Sequence, residues 1–122
     1  MNNLNRHIWI EAEQWAISEW NEQDCNSDVI VVFQDRSKWI SSFFTYKNIQ
    51  TLREKNMSTG ECMNGAYYWS SDMVLIDFIS RKRVEEVIEY LLKEDKFVNV
   101  FTRYPDVNAA DDYLYPISFF DS

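Results

Sequence analysis

The chain has 122 residues, with twenty Asp and Glu against twelve Lys and Arg, a formal net charge of −8 and 16% aromatic residues. That length suits one domain with a sizeable core, and the aromatic content argues against disorder. The charge repels phosphate backbones and anionic lipid, which disfavours nucleic-acid and membrane partners and favours a basic protein.

No apolar run reaches the roughly 18 residues of a membrane span, and acids close to the N-terminus argue against a signal peptide. Cys25 and Cys62 are widely spaced and form no CxxC, so reduced thiols and a cytoplasmic setting are expected. Two Gly and two Pro leave too little turn chemistry for a barrel of tight hairpins.

In chain order, His7 to Asn21 predicts an N-terminal helix over about 7–21, because Ile8, Trp9, Ala12, Trp15, Ala16 and Trp20 fall on one arc of a helical wheel. Ile10 and Ile17 lie off that arc; core packing is the expected reading, with contact to a tail, a second copy or a partner as alternatives, so a monomer or homodimer is expected. A polar connector leads to VIVVF, Val29 to Phe33, a buried strand, and a short turn joins it to WISSFFTY, Trp39 to Tyr46, as an antiparallel hairpin. KNIQTLREKN predicts a helix with Ile49, Leu52 and Met57 inward, and residues 57–65 with both glycines predict a loop.

AYYW at 66–69 reads as a third strand that turns into the apolar run Met73 to Phe78. Ser80 is placed to N-cap the helix RKRVEEVIEYLLKED, in which Val84, Val87, Ile88, Leu91 and Leu92 make one apolar arc. FVNVFTRY, 97–104, predicts a fifth strand, and 105–122 a packed tail. Together these elements give one domain, with ββα units at about 29–56 and 66–95. The expected fold class is α+β, two-layer, with a mainly antiparallel sheet of about five strands and helices packed on one face.

The chemistry-bearing residues form no catalytic set. His7 is the single histidine, Cys25 and Cys62 match no zinc spacing, and no glycine-rich phosphate cradle exists, so no cofactor or metal is expected. Asp72 precedes the run Met73 to Phe78, and Asp77 interrupts it. Asp77 therefore stands at the strand's exposed end, pairs with a base such as Arg81, or with Asp72 marks a small ligand-binding or enzymatic site. The cluster Arg81, Lys82, Arg83 is followed at once by acids, as on a solvated helix face. Acidic and aromatic side chains supply the remaining candidate: Glu85, Glu86 and Glu89 on the main helix, with Asp106, Asp111, Asp112, Tyr113 and Tyr115 in the tail.

GAYYWSSDMVLIDF followed by VEEVIEYLLKED, within Gly65 to Tyr104, resembles the immunity proteins that bacteria make against polymorphic or contact-dependent growth inhibition toxins. The resemblance implies stoichiometric binding and neutralisation of a cognate toxin domain, often a basic nuclease, and no catalysis by this chain. A rival reading is an acidic nucleic-acid mimic that blocks a DNA-binding enzyme. It requires carboxylates along one continuous face, which Lys93 and Arg103 interrupt.

Overall fold

β-Branched and aromatic side chains from Val29 to Thr45 build the centre of the molecule. In the computed structural model, which describes residues 5–107, they form strands β2 (Asn26–Phe33) and β3 (Lys38–Thr45), paired antiparallel with Ile30 opposite Ile40. The turn between them closes through Arg36 N–H to the Phe33 carbonyl at 2.9 Å, with Arg36 at φ 71°.

The predicted N-terminal helix is replaced by strand β1 (Arg6–Ile10), antiparallel to β2, followed by 3₁₀ turns at Glu11–Gln14 and Ile17–Glu19. The physical reason is that RHIWI satisfies a period of two as well as a helical arc. Ile8 and Ile10 point into the core, while Trp9 packs on the other face against Ile30 and Val32. Ile10 is fully buried in the core, as the core-packing reading expects, and is therefore not a dimer contact.

Helix α1 (Tyr46–Thr59) follows β3 directly. The Thr45 hydroxyl accepts from Asn48 N–H at 3.0 Å, capping the helix, and from Cys25 N–H at 3.3 Å. The buried residues of α1 are Asn48 and Asn56, whereas Ile49 and Leu52 are half-buried and Met57 is exposed. Asn48 bonds Asn26 and Asp24 at 3.0 and 2.9 Å, so hydrogen bonds hold this end of the helix.

Gly60 ends α1 in the left-handed region, and the chain continues through a short turn, α2 (Glu61–Gly65), with Cys62, Met63 and Asn64 also left-handed. The predicted loop at 57–65 is therefore the last turn of α1 plus this reversal. AYYW is not a strand; Tyr68 packs edge-on against Phe44, and Tyr67 and Trp69 are exposed.

Strand β4 (Met73–Ile76) runs parallel to β3 along residues 42–45, and β5 (Thr102–Tyr104) runs antiparallel along residues 38–40. The second ββα unit is therefore not formed. β4 and β5 share the far side of β3, end to end, and diverge from Asp72. The Asp72 carbonyl accepts from Ser42 N–H at 2.8 Å and Ser41 Oγ at 2.7 Å, and its carboxylate accepts from the Thr102 hydroxyl.

Helix α3 (Arg81–Lys93), N-capped by Ser80, lays Val84, Ile88 and Leu92 on the face that carries Ile8, Ile10, Val29, Val31, Phe33 and Phe43. The predicted strand at 97–104 begins instead with one helical turn, α4 (Phe97–Val100). There Phe97 and Phe101 stack with ring centres 4.5 Å apart in the same core. The five-stranded, mainly antiparallel sheet with its helical layer is the expected α+β class. No helix among the described residues is long and apolar enough to cross a membrane.

Candidate functional site

α3 carries two chemically different flanks because its sequence alternates apolar and charged residues at helical spacing. The flank toward β1 is polar. Arg81 donates to both Glu13 oxygens at 2.8 and 2.7 Å, to Glu85 at 2.8 Å and to the Ile8 carbonyl at 2.7 Å. The two carboxylates hold its guanidinium pKa above the ordinary arginine value. Arg6 pairs with Glu89 from β1, and Glu86 pairs at 3.0 Å with Arg83, whose side chain lies toward β4.

Along this flank lies a shallow cleft of about 500 Å³, walled by Arg6, Lys82, Glu85, Glu86, Glu89, Tyr90 and Lys93. Tyr90 is 60% exposed at its lip. A smaller recess of about 410 Å³, bordered by Arg6, His7, Ile8, Arg81 and Glu85, adjoins it through shared residues. His7 thus sits on a strand at a cleft margin and not in a helix.

The three helix acids singled out in the sequence therefore converge on one concave surface, each beside an arginine of the same chain. Exposed pairs of this kind contribute only about 0–1 kcal/mol each. Incoming cations can exchange for the internal arginines at small cost, and Tyr90 offers contact area with few rotamers to fix. Tyr90 is not singled out by the sequence pattern, although its spacing of four from Glu86 and three from Lys93 puts it on the charged outer face.

Asp106 is apart from this cleft, paired with Arg103 at 3.1 Å at the end of β5. Asp111, Asp112, Tyr113 and Tyr115 lie outside the described residues.

Asp72 and Asp77 stand at opposite ends of β4, and Asp77 borders a groove with Tyr46, Leu75, Ile76, Arg83 and Val87. Asp72 serves the seam described above. Asp77 caps its own neighbour through Phe78 N–H at 2.9 Å and faces Arg83 Nε at 3.3 Å, so its basic partner is Arg83 and not Arg81. Arg83 also lies over the Phe78 ring at 4.6 Å. No group of metal-ligating side chains occurs among the described residues.

No family model matches the chain, and comparison with characterised proteins and with solved structures finds no similar one.

Proposed function

We propose that this chain is an immunity-type protein that binds a basic toxin domain, such as a nuclease, one to one and neutralises it. The observation that carries the proposal is the convergence of Glu85, Glu86 and Glu89 with the exposed Tyr90 on one cleft of α3. The net charge of −8 supports it by steering a cationic partner to encounter. Arg6, Arg81 and Arg83 take the three carboxylates into separate pairs and Lys82 and Lys93 line the same cleft, which favours recognition of a patterned protein surface over imitation of a phosphate backbone.

Co-expression with the C-terminal domain of the protein encoded immediately upstream tests the proposal. A one-to-one complex and restored growth are expected. Glu85→Lys with Glu89→Lys is expected to weaken the complex about 10- to 100-fold, mostly at low salt, with the fold intact by circular dichroism. Absence of a complex, or a reversal that leaves affinity unchanged, would sink it.

A further inference from the structure

The sheet has two outer edges, and they are treated differently. β1 is closed by side chains of α3 and its neighbours: Arg81 donates to the Ile8 carbonyl at 2.7 Å, and Arg6 is held by Glu89. Charged groups on an edge strand are the usual protection against further pairing.

Among the described residues, no side chain closes β4 in this way. Its ladder to β3 starts with Ser42 N–H bonding the Asp72 carbonyl. In a parallel ladder that phase turns the peptide groups of Val74 toward β3 and those of Met73 and Leu75 outward. Among the described residues, no hydrogen bond reaches that outer edge. Met73 and Leu75 are also 37% and 43% exposed, although their neighbours Val74 and Ile76 belong to the main core. A groove of about 390 Å³ runs beside the edge, walled by Tyr46, Leu75, Ile76, Asp77, Arg83 and Val87.

We propose that the outer edge of β4 accepts one extended segment of a cationic partner protein, paired to Met73 and Leu75 and seated in the groove between Tyr46 and Val87. Charge complementarity selects that occupant. Asp72 and Asp77 bracket the edge, and Asp77 shares its one arginine with Glu86, so the margins stay negative. A second copy would bring −8 against −8 over a strand of four residues. The site lies on the flank of α3 away from the acidic cleft and adjoins it through Arg83, which pairs with both Asp77 and the cleft's Glu86.

The probe is the peptide acetyl-Lys-Thr-Val-Thr-Val-Lys-amide, added to the full-length chain and followed by amide exchange. At saturation, exchange at Met73 and Leu75 is expected to slow at least ~10-fold with little change at Val74 and Ile76, whose N–H groups are unavailable or already bonded to β3. The same peptide with Glu for Lys is expected to bind at least ~10-fold more weakly. Leu75→Lys should abolish binding without lowering Tm, since that side chain is exposed. Failure of the peptide to bind, protection of the α3 cleft instead of β4, or equal affinity for the Glu peptide overturns the proposal. So does prior protection of Met73 and Leu75 in the free chain: dependence on protein concentration would assign the edge to a second copy, and independence to another segment of the same chain.

Discussion

Arg81 joins three parts of the chain through one guanidinium: Glu13 after β1, the Ile8 carbonyl in β1, and Glu85 one turn along α3. Arg81→Met keeps the aliphatic stem and removes the fork. Because the side chain is partly exposed, the expected loss is about 1–2 kcal/mol in urea denaturation, smaller at high salt. The variant should also self-associate more than the parent in sedimentation, since the Ile8 carbonyl is then open. Equal stability and equal mass would show that the network only decorates the surface.

Cys25 behaves in the opposite way, by being withdrawn from solvent. Burial, with a smaller push from Asp24 and Glu22, raises its thiol from 9.0 to about 11. In the folded chain the proton is held more tightly, so stability falls as pH rises from 9.0 toward about 11 and levels off above it. A disulfide exchange reagent at neutral pH should label the half-buried Cys62 first and Cys25 only at the rate of opening. Simultaneous labelling would contradict this burial. At the acid end, hydrogen bonds from Asn48 and Ser37 hold Asp24 and Asp35 below the usual carboxylate range. Both therefore stabilise above the ordinary pKa and cease to do so as pH falls through their lowered values.

Among the elements, the helix after Ser80 and the β2–β3 hairpin were legible because pattern, cap and length agreed on a single answer. β1 was not. Five residues with Ile8 and Ile10 inward and Trp9 also covered fit both periods, and only pairing with β2 decides between them. The second hairpin failed for a different reason. Aromatic AYYW has strand composition, yet a parallel β4 demands a long crossover from β3, and the aromatics end up on that crossover.

The crossover turns on Gly65. At φ 79°, a Cβ there would stand 2.7 Å from both the Arg53 carbonyl oxygen and Met57 Cγ. Gly65→Ala is expected to cost about 2 kcal/mol or more in thermal or urea unfolding, from backbone strain and contact with a fixed carbonyl. Gly60→Ala, with no contact closer than 3.6 Å, should cost about 1 kcal/mol. Equal losses would mean that the close approach relaxes freely. Of the candidate site, the acids of α3 were readable as a face. Their cleft was not, since it needs Arg6 from a strand 76 positions before Lys82 in the sheet's first edge.

At the scale of the molecule, one helix separates two surfaces of unlike chemistry: paired charges over β1, and apolar side chains with open peptide groups beside β4. The outermost column beyond β3 is broken at Asp72, where β4 and β5 begin and run in opposite directions. A strand arriving from outside can be antiparallel to one of them only by being parallel to the other. Its register is therefore confined to the four residues of β4, a length of about 13 Å. Such a short template offers too few main-chain bonds for chains to stack end over end, so the seam leaves room for one guest segment while working against fibre growth.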